Sequence, residues 1–238
     1  MEPILVYGFP LGSSMGLVAA FEWLGQPYRL SRVDMLADMK SDAYGRLNDR
    51  RETPVLITDD GRTITETLAI ARWLEARDVE RRISFDLTAP EADRMHQLMG
   101  FLNTGFTSAF SPLWAALEME QADPAYRGTL RDFGRTAVAN RHAKLEAMIG
   151  DTPFLVGDRP TLADAVLIGV ARWAEFHKAV DPQAYPRLAA VRRRLEADPA
   201  VRFAQAIENG ETPKGSGAMR GHVPLDEVIA RFTMQQAA

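Results

Sequence analysis

The amino-acid sequence predicts a small α/β domain with a mixed four-stranded sheet in the order βαβαββα, followed by an all-α helical domain. Short apolar runs alternate with helical spacings over residues 1–80, and an Asp-Gly turn signal lies between two strand-like segments within them. From residue 91 the strand signals vanish and only helical periodicity remains.

Ile4-Leu5-Val6-Tyr7 is a short apolar run suited to a buried strand, and Leu17, Val18, Phe21 and Leu24 then recur at helical spacing. Tyr28 to Val33 alternates weakly as a second strand, and residues 38–47 are helix-like. Val55-Leu56-Ile57 and Arg62-Thr63-Ile64 flank Asp59-Asp60-Gly61, where Asp-Gly supplies the positive φ angles of a tight hairpin. A helix from Thr65 to Arg77 follows, with Leu68, Ile70, Ala71 and Leu74 on its buried side. Residues 81–90, charged and ending in Thr-Ala-Pro, form the expected linker. Pro90 opens the first helix of the second domain, 91–208, where Met95, Leu98, Met99, Leu102 and Phe106 recur at three and four. Further helices are expected at 125–149, 161–179, 186–197 and 199–208. Thr161-Leu162-Ala163-Asp164 has capping-box form, which assigns Asp164 a structural role. Arg192-Arg193-Arg194 decorates a solvated helix face, with Leu188, Val191 and Leu195 inside. In the extension, 209–238, residues 210–221 are expected as loop and Pro224 to Phe232 as a short amphipathic helix.

Composition narrows the function. The chain has 238 residues, 46% hydrophobic and 25% charged, as ordinary globular domains do. Its 28 basic and 32 acidic residues leave a formal charge of −4, so no nucleic acid partner is expected. Without a membrane-length apolar run or a signal-peptide pattern, the expected location is cytoplasmic, with no membrane partner. Zero cysteines exclude disulfides, thiolate metal sites and a protein thiol nucleophile. His96, His142, His177 and His222 have no metal-ligand spacing, so no metal is expected. Any sulfur chemistry must bring its thiol with the ligand.

Two stretches around the hairpin carry the most specific signal. Glu52-Thr53-Pro54-Val55-Leu56 puts a proline just before it, and Thr65-Glu66-Thr67-Leu68-Ala69-Ile70 opens a helix whose free N–H groups favour anions. Together with Val6-Tyr7-Gly8-Phe9-Pro10-Leu11-Gly12-Ser13-Ser14, Leu24-Gly25-Gln26-Pro27-Tyr28 and the segment Pro153 to Asp164, they resemble the cytosolic glutathione S-transferases. The bacterial beta-like forms are the nearest in pattern. The resemblance spans roughly the first 205 residues and implies a thioredoxin-like N-terminal domain followed by the family's helical domain. It further implies glutathione as co-substrate, a small electrophile as second substrate, and a homodimer. The implied activity is detoxifying conjugation of the glutathione thiolate to an electrophilic, mostly apolar co-substrate. A non-catalytic glutathione-binding protein and a glutathione-dependent disulfide or peroxide reductase are the alternatives.

The resemblance also implies roles for individual residues. Ser13 falls where the beta-like enzymes carry cysteine, so Ser13, then Ser14, then Tyr7 are the candidates for a hydrogen bond to the thiolate. Serine is also a favoured helix N-cap, and either serine serves equally well as the cap of the helix over 15–24. A cis Thr53-Pro54 bond would present the backbone of Thr53 to the cysteinyl part of glutathione. Glu66 would take the γ-glutamyl ammonium, and Thr67 with the helix amides its carboxylate. Glu52 replaces a common glutamine, and its charge suits the site only if Arg50 or Arg51 offsets it; Asn48-Asp49 replaces an Asn-Pro. Thr107 and Ser108 stand where a histidine and a lysine are usual. Phe9, Leu11, Phe106, Phe110 and Trp114 are acceptor-pocket candidates by location, although Phe106 and Trp114 equally fit core aromatics at helical spacing.

Overall fold

In the computed structural model, residues 2–236 are described; Met1 and the last two residues of the expected 209–238 extension lie outside them. The chain divides into two compact units, one of residues 1–85 with 197–238, the other of residues 86–196.

The first unit is built on β1 (Ile4–Phe9), β2 (Tyr28–Asp34), β3 (Val55–Ile57) and β4 (Thr63–Thr65). Helix α1 (Met15–Leu24) makes the crossover that parallel β1 and β2 require, pairing Leu5 with Leu30 and Tyr7 with Arg32. The Asp-Gly turn allows β3 and β4 to pair antiparallel, and β3 in turn runs antiparallel to β1 with Val6 opposite Val55. Helices α2 (Asp42–Leu47) and α3 (Thr67–Arg77) complete the βαβαββα order.

β1 is buried on both faces, which is why its sequence is a continuous apolar run rather than an alternation. Ile4, Val6, Val33, Val55 and Ile57 face α2 through Tyr44 and Leu47. Tyr28 on the opposite face stacks on Phe21 of α1 at 4.7 Å.

The sheet has five strands, in the order β4-β3-β1-β2-β5, where four were expected. β5 (Met219–His222) comes from the segment expected as loop and runs parallel to β2 at the sheet edge. Its four residues alternate between half-buried and exposed and include Gly221 at φ 102°, so local pattern carries little strand signal. The pairing partner lies some 190 residues away, and only tertiary contact creates the strand. After β5, Val223, Val228 and Ile229 join the core cluster, the last two from the C-terminal helix over Leu225–Gln236.

The second unit is all-helical, with α4 (Pro90–Phe101), α5 (Ser111–Glu118), α6 (Pro124–Met148), α7 (Leu162–Ala171), α8 (Trp173–Phe176) and most of α9 (Pro186–Ala197). α4 passes into a wider π-type turn over Leu102–Phe106 instead of continuing as one long α-helix. α5 crosses α6 where a Cβ on Gly134 would lie 2.7 Å from Leu113 Cγ, so a side chain there would force the helices apart. Asp164 is buried and accepts from Thr161 N–H at 2.9 Å, from the Thr161 hydroxyl at 2.9 Å and from Leu155 N–H at 3.0 Å. It ties the 153–160 loop to the start of α7. Leu188, Val191 and Leu195 are buried as expected, but Arg192 lies mostly covered between Glu175 and Glu196 rather than on the solvated face.

Helix α10 (Pro199–Glu208), read from sequence as the last helix of the second domain, belongs to the first unit. It packs along α1 through an apolar face of Val201, Phe203, Ala204 and Ile207. Among the described residues, no helix is long and apolar enough to cross a membrane.

Candidate functional site

The loop from β1 to α1 is held by several specific contacts. Phe9-Pro10 is cis and Leu11 has φ 58°. The N–H of Gly8 donates to Ser14 Oγ at 3.0 Å, and that of Gly12 to Glu208 Oε1 at 2.9 Å. A Cβ on Gly12 would sit 2.1 Å from the Gly8 carbonyl oxygen, so only glycine fits.

The two adjacent serines therefore differ in environment. Ser14 is fully buried, and its hydroxyl serves Gly8 across the loop rather than capping α1. Ser13 is half-buried, and its hydroxyl makes no hydrogen bond among the described residues. Tyr7 has other partners: its hydroxyl donates to the Ile207 carbonyl at 3.3 Å and lies 3.3 Å from His222 Nε2. Burial pushes the Tyr7 phenol up to about 12, which favours the neutral form.

Thr53-Pro54 is cis. Two side chains hold the chain just before it, since the Tyr44 hydroxyl and Asn48 Nδ2 each donate to the Glu52 carbonyl at 2.8 Å. The β1–β3 register, continued by two residues, brings Thr53 beside Gly8, where a Cβ would lie 2.5 Å from Thr53 Oγ1. Gly8 N–H is already committed to Ser14. Among the described residues neither the backbone N–H nor the C=O of Thr53 makes a hydrogen bond. Such pairs are normally satisfied, by water if by nothing else, and together they form an edge that an extended peptide can complete.

Glu66 stands just ahead of α3 at φ 74°, an uncommon conformation for a side-chain-bearing residue. Its carboxylate is exposed, its side chain caps nothing, and Thr67 begins the helix half-buried beside it. Arg50 bridges the surface here, 2.8 Å from Glu66 Oε1, 3.0 Å from Thr65 Oγ1 and 3.2 Å from Glu52 Oε2. The charge of Glu52 is thus offset by Arg50, whereas Arg51 turns away to Asp42 and the Lys40 carbonyl.

The acceptor-pocket candidates separate. Phe9 and Leu11 are half-buried in the β1–α1 loop, and the Phe9 ring lies 3.4 Å beneath the Arg32 guanidinium. Phe106 and Phe110 are fully buried within the helical unit, packed against each other at 5.9 Å and around His142, so neither offers surface to a ligand. Trp114 is half-buried and stacked on Phe176 at 5.4 Å. Thr107 and Ser108 direct their hydroxyls to the Leu102 and Gly105 carbonyls of their own helix.

Sequence reasoning missed Tyr44, Asn48, Arg32 and Glu208. The first two carry only a weak signal, a tyrosine and an asparagine eight and four residues before Glu52. The others act through contacts that no local pattern reveals.

Two protein-family models match the chain, glutathione S-transferase N-terminal domain over residues 14–77 and glutathione S-transferase C-terminal domain over residues 128–194. A glutathione S-transferase of Xanthomonas campestris pv. campestris, GST-4.5, is 29% identical over 204 residues, covering 85% of this chain and 98% of its own. Among solved structures, a glutathione S-transferase from Xylella fastidiosa superposes with a TM-score of 0.78 at 24% identity, covering 89% of this chain and 100% of its own. A glutathione transferase homologue from Sulfitobacter with bound glutathione superposes with a TM-score of 0.76 at 22% identity, over 89% and 99% of the two chains. At such identities these two structures establish the likeness of fold alone.

Proposed function

We propose that this chain, which belongs to the cytosolic glutathione S-transferase family, binds glutathione on its first unit and conjugates it to an electrophilic, mostly apolar co-substrate. The observation that carries this reading is the unpaired backbone N–H and C=O of Thr53 at the cis-proline, on the same unit as the free hydroxyl of Ser13. The cysteinyl backbone of glutathione completes the Thr53 edge. Glu66 takes the γ-glutamyl ammonium, and Thr67 with the first amides of α3 takes its carboxylate. Arg50 pairs with both Glu52 and Glu66 and so offsets part of their negative charge.

A free cysteine thiol has a pKa of about 8.5, so only a few per cent is thiolate at neutral pH. A hydroxyl donor at the start of α1 stabilises the anion, both by its hydrogen bond and by the positive helix end. Ser13 takes this part, because it is half-buried with an uncommitted hydroxyl, while Ser14 is fully buried and the Tyr7 hydroxyl already donates to the Ile207 carbonyl. The sulfur attacks an electrophilic carbon, a C–S bond forms, the leaving group departs with its electron pair and the thiol proton passes to solvent. Two such chains form the working dimer.

Titration calorimetry with glutathione, then turnover of a chlorinated nitroaromatic by wild type and Ser13→Ala, tests the proposal. Binding with turnover that collapses in the variant is expected. No binding at millimolar glutathione refutes the site; binding without turnover of any electrophile in a broad panel replaces transfer by a binding role. Light scattering of the purified chain tests the dimer.

A further inference from the structure

Glu208 is the last residue of α10, where the negative end of the helix dipole disfavours a carboxylate, and it is only 6% exposed. A charge buried in so unfavourable a position needs specific donors. One is the backbone N–H of Gly12 at 2.9 Å, immediately before Ser13. The same helix end grips the other side of the loop, since Arg32 donates to the Glu208 carbonyl at 2.9 Å and covers the Phe9 ring at 3.4 Å. Between the two anchors Leu11 has positive φ and Gly12 has no room for a side chain. The backbone of this loop has few alternatives once Gly12 N–H is held.

We infer that Glu208 is a positioning residue for Ser13: its carboxylate fixes the Gly12 amide and so sets where the adjacent hydroxyl meets the thiol. This rests on the proposed role of Ser13. The Tyr7 hydroxyl on the Ile207 carbonyl and Arg32 on the Glu208 carbonyl hold the helix end against the sheet, so the carboxylate is presented from a rigid element.

Three full-length variants test it: Glu208→Gln keeps an acceptor oxygen, Glu208→Asp withdraws the carboxylate by one methylene, and Glu208→Ala removes it. Amide hydrogen exchange over residues 9–16 reads the loop without any ligand, and ultraviolet titration of bound glutathione reads the thiol. In Glu208→Asp and Glu208→Ala, exchange of that segment should quicken by about tenfold or more. The bound thiol should rise towards its free value of about 8.5, while glutathione affinity stays within about threefold because the γ-glutamyl contacts are intact. Glu208→Gln should retain wild-type behaviour in both. Unchanged exchange in Glu208→Asp, or a Glu208→Gln as impaired as Glu208→Ala, overturns the inference. A wild-type chain that binds no glutathione refutes the proposed function instead, and the exchange experiment still decides whether Glu208 holds the loop. Should Glu208→Ala fail to fold, the Asp and Gln pair decides.

Discussion

Replacing His142 with phenylalanine should change how the helical unit responds to acid. His142 is 4% exposed and sits among Phe106, Phe110 and Tyr185, with ring centroids 4.7, 6.3 and 5.3 Å away. Its Nδ1 pairs with the Val138 carbonyl at 2.9 Å. Burial, with Arg192 nearby adding a repulsive charge, pushes the imidazole down to about 4. Above about pH 6.5 the ring is neutral both folded and unfolded, and its contribution is fully present. As the pH falls from there to about 4, the unfolded chain takes up a proton that the native ring refuses, so stability is lost. At about 1.4 kcal/mol for each tenfold change in proton activity, the loss reaches about 3 kcal/mol and then levels off. Asp164 works in the opposite sense, because burial pushes its carboxyl up to about 6 and the native state gains by binding a proton as the pH falls below that. The wild-type profile alone therefore mixes two opposed slopes. Urea unfolding of wild type and His142→Phe at pH 7, 6, 5 and 4, followed by circular dichroism, isolates the histidine. At pH 7 the variant should be less stable by about 1 kcal/mol for its lost hydrogen bond. The difference should close and reverse by pH 4, a relative change of about 3 kcal/mol. Parallel curves across that range would refute the reasoning.

Ser14→Ala orphans the buried Gly8 N–H and should lower unfolding stability by about 1–3 kcal/mol, whereas Ser13→Ala should leave the melting temperature nearly unchanged. In turnover the order reverses: Ser13→Ala loses a charge-assisted hydrogen bond of about 1.5–3 kcal/mol, roughly ten- to a hundredfold in kcat/KM. Equal effects of the two serines on stability would count against the assignment. Thr53→Ala keeps the backbone edge, so calorimetry should find glutathione affinity within about threefold of wild type. Glu66→Ala should weaken it about tenfold or more through the lost ammonium contact; the reverse ranking contradicts the proposed site. Asp164→Ala strips the carboxylate from the Thr161 and Leu155 amides and should cost about 2–4 kcal/mol in denaturant unfolding, an effect larger at pH 4 than at pH 7.

The proposed glutathione contacts were legible as candidates because they rest on residues adjacent in sequence. A proline before a strand, an Asp-Gly turn and a helix opening near Glu-Thr each act within a few residues, so the hairpin and the helix after it were expected, although the helix starts at Thr67 rather than Thr65 and leaves Glu66 ahead of it at φ 74°. The serine pair was ambiguous because both occupy plausible cap positions. It took the 3.0 Å bond from Gly8 to Ser14, across a tight loop, to separate one hydroxyl from the other. The apolar periodicity of Phe106 and Phe110 marked a buried helix face without saying that both rings pack around His142, fully buried within the helical unit.

The βαβαββα order, the Asp-Gly hairpin and the absence of a protein thiol follow from the sequence by itself, because periodicity, turn chemistry and composition are local or global properties of a chain; the cis Thr53-Pro54 bond was implied only by the family resemblance. The fifth strand, the return of α10 to the first unit, and the hold of Glu208 on Gly12 were decided only by tertiary structure. Each joins residues far apart in the chain, 196 positions for Gly12 and Glu208, and no local propensity encodes such a meeting. It arises when burying the apolar face of α10 against α1 brings a carboxylate to a backbone amide that has no other room to turn.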